Sequence, residues 1–246
     1  VQHNASAAWR RQVAAFLRTQ QGLSGVRAVH AADRAAITAR LEIAHRSGNP
    51  VPLVLFWGPK PGASTLGGSD KKTISALANL FAPLGLKTKL KLILADVHGD
   101  LNGLDQAQSK AYLDAVHKQA EAAGGQTLRL SDWYQGADAI SLERVFAEPS
   151  AAALPADLKL SLEASAQKRS GGLTSERYAQ VRRAEIPYVA RHLGANGVFA
   201  VIADPTHRPL FGPVPTLFVF AAGSRGGHKQ NRPPWVPHNA TTAPHS

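Results

Sequence analysis

The segment Val51-Pro-Leu-Val-Leu-Phe-Trp57 carries no polar side chain and is bounded by Ser47-Gly48-Asn49-Pro50 before it and Gly58 after it. A strand with one solvent face would alternate apolar and polar residues. An unbroken run of this length reads as a strand covered on both faces, as parallel sheets require. Leu90–Ala95, interrupted only by Lys91, reads as the next buried strand and Thr127–Leu130 as a short third strand, and the apolar runs Val198–Ala203 and Leu217–Ala222 read as further strands. Between the first three lie a helix starting near Asp70, with Ile74, Leu77, Leu80 and Phe81 inward, and a helix over 106–123 stopped by Gly124-Gly125. Strand and helix alternating at this spacing predict an α/β fold with a Rossmann-like, doubly wound parallel sheet. Functional loops are then expected at the strand C-termini, over 58–69, 96–105 and 131–138.

Helices are also predicted over 5–21, with Trp9, Val13, Phe16 and Leu17 on one face, from Asp33 as N-cap to His45, over 156–169 and over 174–186. One domain spanning 1–222 suits a core of this size. The Gly-, Pro- and His-rich stretch 223–246 has no periodicity and is expected to be a flexible tail. No internal repeat is visible.

Charge narrows the partner. The chain has 28 Lys and Arg against 17 Asp and Glu, a net charge of +11 and a pI near 10.3. Such a surplus favours phosphate-rich surfaces, because each neutralised phosphate releases condensed counterions. A nucleic acid is the expected partner, against a basic surface that merely keeps the protein dissolved. The chain has no cysteine, which excludes disulfides, thiolate metal sites and cysteine nucleophiles. No apolar run approaches the ~20 residues of a membrane span, so a cytoplasmic protein without membrane contact is expected.

Three constellations carry chemistry. The first is the loop Trp57-Gly58-Pro59-Lys60-Pro61-Gly62-Ala63-Ser64. Its glycines admit close backbone approach, Lys60 offers a charge for phosphate or carboxylate, and Ser64 is a candidate nucleophile. It lacks the ending of a phosphate-binding P-loop, and a rigid Pro/Gly turn explains it equally well. The second is Asp96-Val97-His98-Gly99-Asp100-Leu101-Asn102. Asp96, His98, Asp100 and Asn102 sit where such sheets bind ligands, and ligand positioning is favoured there over a metal site. The third is the helix Ser175–Pro187, on which Tyr178, Val181, Arg182 and Glu185 share a face. Pro187 is expected to end that helix at Ile186, leaving Glu185 in the last turn against the macrodipole. A local rule broken in this way points to function, and an ion pair with Arg182 is the plain alternative. Trp57, Trp133 and Tyr134 read either as pocket walls or as core. Histidines 98, 117, 192 and 207 are scattered without a defensible Ser-His-Asp order. Lys168, Arg169, Arg177, Arg182, Arg183 and Arg191 outnumber Glu176 and Glu185 locally, and Lys89 and Lys91 alternate along a strand, so both groups are expected to meet a phosphate backbone.

With these residues in place the chain resembles the cyclodipeptide synthases, single Rossmann-like domains related to class I aminoacyl-tRNA synthetases. Size and basic charge agree. Glu185-Ile-Pro187 resembles the end of that family's signature, in which a tyrosine and an aliphatic residue precede Glu-x-Pro. Asp204-Pro205 and Val214-Pro215 before an apolar strand follow in the same order. The family's tyrosine position holds Val181, with Tyr178 one turn away, and its serine setting reads Gly58-Pro59-Lys60, with Ser64 nearby. The resemblance implies that two aminoacyl-tRNAs are consumed without a cofactor. It further implies that Ser64 takes an aminoacyl group and that Glu185, with Tyr178, positions the second amine and moves its proton. The order of the 51–70 segment and of Asp96 to Asp100 is also similar to isonitrile synthases, which act on an amino acid with a sugar phosphate. A non-catalytic RNA-binding module is the third reading.

Overall fold

The computed structural model of the chain describes residues 7–17, 26–27, 30–136, 138–147, 154–166, 173–202 and 205–219. Lys168, Arg169, Asp204 and the expected tail over 223–246 lie outside them. The elements run α1 (Ala7–Phe16), β1 (Val26–Arg27), α2 (Ala31–Ser47), β2 (Val51–Trp57), α3 (Gly68–Leu77), β3 (Thr88–Leu94), α4 (Asp96–Leu101), α5 (Gln106–Ala122), β4 (Gln126–Arg129), α6 (Leu142–Ala147), α7 (Ala156–Ala166), α8 (Ser175–Leu193), β5 (Val198–Val201) and β6 (Thr216–Val219). Short 3-10 helices cover Ala82–Leu84, Leu130–Tyr134 and Pro205–Phe211.

The sheet has six strands in the order β1-β6-β5-β2-β3-β4. All neighbours pair in parallel except β1, which runs antiparallel to β6 at the edge. From β2 the chain steps outward to β3 and β4, then returns to lay β5 and β6 on the other side. This is the doubly wound, Rossmann-like arrangement, and its topological switch point falls between β2 and β5.

The runs of β2, β5 and β6 are apolar because both faces of the sheet are covered there. Successive side chains alternate between faces. Leu53, Leu55 and Trp57 join Leu90, Leu92 and Leu94 in one core with Val13, Ile37, Leu41, Ile74, Tyr112 and Val116 from α1, α2, α3 and α5. Val54, Ile93, Phe199 and Phe218 join a second core with Leu158 and Leu162 from α7 and Ala179, Ile186, Val189 and Leu193 from α8.

Several expectations are corrected. Asp33 is not an N-cap: α2 begins at Ala31, and buried Asp33 accepts two hydrogen bonds from Arg208 (2.6 and 2.8 Å) and one from the Thr216 amide (3.3 Å). That pair ties α2 to the turn preceding β6. Residues 96–101 form a short helix, and β1 and α6 were not anticipated. The main correction concerns α8, which continues through Pro187 to Leu193. An internal proline costs ~3 kcal/mol. Beyond it, α8 buries Val189 and Leu193, with Ile186 just before, each contributing about 1.5–3 kcal/mol. Packing therefore outweighs the proline, and Glu185 sits mid-helix, so the macrodipole argument does not apply to it.

Candidate functional site

The C-terminal ends of β2, β3 and β5 open into a cavity of about 310 Å³, within the range of small-molecule sites. β2 contributes Phe56 and the following Gly58 and Pro59, β3 the following Ala95 and His98, and β5 Ala200 and Val201. The far wall comes from α7 (Ser161, Leu162), from α8 (Ser175, Tyr178, Arg182) and from His207 and Phe211. The cavity thus occupies the switch point, where neighbouring crossovers leave to opposite sides and no loop closes the crevice.

Two loops meet closely at its edge. A side-chain carbon at Gly99 would stand 2.9 Å from Pro59 Cγ, so glycine is what lets the α4 turn rest against the loop after β2. That approach places His98 at the cavity floor, where its ring lies 5.8 Å from the Phe56 ring and 6.4 Å from Tyr178.

Beneath the floor is Glu185, which has no exposed surface. Its Oε1 is 2.7 Å from His98 Nε2 and accepts from the Tyr134 hydroxyl at 2.8 Å; its Oε2 accepts from Arg182 Nη1 at 3.2 Å. Burial alone would raise the Glu185 pKa. The His98 and Arg182 partners, with the Tyr134 hydroxyl, outweigh burial and hold the carboxyl below the ordinary glutamate value. Burial likewise opposes the charge on Arg182, and the neighbouring Tyr178, Glu185 and Tyr134 more than offset it. The Tyr134 hydroxyl is pushed up by burial and by the adjacent carboxylate, so it stays protonated and donates. An ionised Glu185 accepts from His98 Nε2, which leaves Nδ1 of a neutral imidazole as the acceptor. The Arg182 guanidinium lies 4.3 Å above the Phe56 ring and 5.8 Å from the Tyr178 ring, which fixes its plane at the cavity wall.

The anticipated residues separate into two sets. Gly58, His98, Asn102, Tyr178 and Arg182 line the cavity, and Glu185 supports it from behind. Asn102 is buried and its side-chain amide donates to the His98 carbonyl, bracing the turn. The remaining residues lie elsewhere. Trp57 is in the first core and donates to the Tyr112 hydroxyl at 3.2 Å, so it is not a pocket wall. Lys60, itself exposed, pairs with buried Asp70, which also accepts from Tyr112; these contacts anchor the loop after β2. Ser64 is exposed and does not line the cavity. Asp96 accepts from the Ser131 amide (3.0 Å) and hydroxyl (2.8 Å), a turn-to-turn tie, and Asp100 is exposed. Among the described residues no group of three or more His, Asp or Glu is placed to hold a metal.

The basic residues separate too. Arg182 is buried in its ion pair and presents no charge to an outside phosphate. Arg177 and Arg191 are exposed, lying over the Phe146 ring (5.0 Å) and the Tyr188 ring (4.8 Å). Lys89 is exposed, while Lys91 and Arg183 are half-buried. Lys91, next in effect after burial, lowers the His192 pKa together with Arg191, so the β3 and α8 charges share one neighbourhood. There Trp133 is stacked by Tyr188 (5.5 Å) and His192 (5.6 Å).

Sequence reasoning missed Ser161 and His207, whose Oγ and Nε2 are 3.1 Å apart in the cavity wall across 46 positions of sequence. It also missed the part of Tyr134 as a partner of Glu185. No local motif marks either.

No protein-family model and no curated protein sequence matches the chain. Among solved structures it is similar to a tryptophanyl-tRNA synthetase homolog from Entamoeba histolytica, at 8% identity and a TM-score of 0.48 over 89% of this chain and 59% of that one. It is similar to the tryptophanyl-tRNA synthetase from Giardia lamblia, at 12% identity and a TM-score of 0.49 over 91% of this chain and 67% of that one. It is also similar to a tyrosyl-tRNA synthetase from Pyrococcus horikoshii, at 14% identity and a TM-score of 0.43 over 82% of this chain and 52% of that one. The chain thus spans 59% of the length of the first of these structures.

Proposed function

We propose that this chain transfers aminoacyl groups from charged tRNA, joining two of them into a cyclic dipeptide in the cavity at the β2/β5 switch point. The observation that carries this reading is the buried Glu185 carboxylate, bonded at once to His98, Arg182 and Tyr134 directly behind that cavity. Burying a charge is costly unless it is paired and hydrogen-bonded. Here the pairing orients two groups that face the cavity.

The chemistry follows from those groups. Ester aminolysis is downhill, so the protein must hold an amine and an ester together and exclude water. Glu185 holds His98 by its Nε2–H; as the amine attacks and the C–N bond forms, Nδ1 takes its proton and passes it to the leaving alcohol oxygen as the ester C–O bond breaks, and the same step within the dipeptidyl ester closes the ring. Arg182 keeps a fixed positive charge at the wall, where the ester carbonyl oxygen becomes an oxyanion. Tyr178, whose ring lies beside both His98 and Arg182, orients the aminoacyl group. In this scheme Glu185 is a positioning residue and His98 is the group that meets substrate. Arg177, Arg191 and Lys89 meet the tRNA backbone outside the cavity, consistent with the net charge of +11.

Purified chain mixed with a pool of aminoacyl-tRNAs, followed by mass analysis, tests the reading. Cyclic dipeptides and discharged tRNA are expected, without added ATP. A tight, salt-sensitive tRNA complex that leaves every ester intact would instead identify an RNA-binding module.

A further inference from the structure

The cavity has a second polar pair that the scheme above leaves unused. Ser161, on α7, and His207, in the turn before β6, both line the wall, with Oγ and Nε2 3.1 Å apart. Among the described residues, three that carry hydroxyls line this cavity, Ser161, Ser175 and Tyr178, and of these Ser161 is the one hydrogen-bonded to an imidazole. Ser64 is exposed and does not line the cavity, so the fold does not bring it to the space where an ester would sit.

A serine hydroxyl is a weak nucleophile until a base removes its proton, and a histidine nitrogen within hydrogen-bond reach is the recurrent solution. With the imidazole proton on Nδ1, Nε2 accepts from Oγ. Ser161 is half-buried, and its neighbour Leu162 is buried in the second core, which holds this turn of α7 in place. Arg182 lines the same cavity and supplies the positive charge that an oxyanion requires.

We propose that Ser161 is an acyl-accepting nucleophile and His207 its base, so that the cavity forms a covalent acyl-enzyme. Ser161 Oγ attacks the carbonyl carbon of an activated ester while His207 Nε2 takes the hydroxyl proton. The C–O bond to the leaving alcohol breaks, the alcohol leaves with that proton, and the acyl group remains esterified to Ser161. No oxidant, metal or nucleotide enters the balance. The inference rests on the acyl-transfer reading of the cavity, and on the tRNA donor only for what supplies the acyl group. His98 and Glu185 then serve the second step, in which an amine attacks this ester. That division explains why one cavity holds two histidines on separate elements.

The test uses two acyl donors on the whole chain. One is p-nitrophenyl acetate, which needs no tRNA; the other is tRNA charged with a labelled amino acid. Each reaction is quenched with acid, and the adduct is located by peptide mass. The expected result is one acyl group per chain on the peptide containing Ser161. Ser161→Ala should lose it, and His207→Gln should slow acylation about 100- to 10,000-fold. Ser161→Cys guards against a misfolded alanine variant, because iodoacetamide should alkylate that thiol more slowly once His207 is also replaced. An adduct from p-nitrophenyl acetate alone would uphold the Ser161–His207 pair and remove tRNA as the donor. An adduct on Ser64 or any other residue, or none from either donor, would overturn the inference.

Discussion

Glu185 shows how one side chain can be both the clearest signal in a sequence and the hardest to interpret from it. The Glu-Ile-Pro sequence stands out, and the ion pair with Arg182 three residues earlier follows from helical spacing. His98 and Tyr134, 87 and 51 positions away, are invisible until the strand order brings their loops together. Replacement by glutamine keeps the shape and removes the charge, leaving Arg182 buried without its counter-ion. Breaking such a pair costs about 3–5 kcal/mol. The melting temperature of Glu185→Gln should therefore fall by roughly 10 °C in calorimetry at neutral pH. The pH dependence has a definite sign. Because the folded-state pKa of Glu185 is depressed, its stabilisation is fully present above the ordinary glutamate range and is lost as pH falls through the lower, folded value. The glutamine variant should lose less stability than the parent on acidification through that window. An unchanged acid limb would mean that the carboxylate is not ionised in the fold.

At the scale of elements, unbroken apolar runs identified β2, β5 and β6, because strands covered on both faces have no polar period to confuse the reading, while β3, which carries Lys89 and Lys91, and the half-exposed edge strand β4 were read from their spacing between helices. What failed was local punctuation. Pro187 reads as a stop, and α8 passes through it because Ile186, Val189 and Leu193 are buried on the same sheet face. Asp96 to Asn102 reads as a loop, yet its first six residues form a turn of helix held against the loop after β2 by the absence of a side chain at Gly99. The two-residue strand β1 is too short to leave any pattern. If packing carries α8 across its proline, then Pro187→Ala, at an exposed position, should stabilise the protein by about 1–3 kcal/mol in denaturant titration. Destabilisation would show that the proline sets a bend the cavity wall needs.

For the molecule as a whole, net charge is legible from composition, but its distribution is not. Arg182 counts toward the basic cluster in sequence, yet it is buried, paired with Glu185 and turned to the cavity rather than to the outer surface. Arg177, Arg191 and Lys89 do remain exposed. Filter-binding of tRNA across salt concentrations should give a steep log–log slope, and replacing these three with alanine should reduce its magnitude by about two to three. A slope unchanged in the triple variant would place the tRNA on another face.

The account as a whole depends on His98 meeting substrate while Glu185 holds it from behind. His98→Gln separates the two functions, since the glutamine amide can still donate to Glu185 but cannot take a proton. Turnover of aminoacyl-tRNA and the tRNA dissociation constant should be measured on the same preparation. The account predicts that turnover falls about 100- to 10,000-fold while tRNA affinity and melting temperature stay close to those of the parent. Turnover at the parent rate, or an equal loss of affinity and turnover, would contradict it.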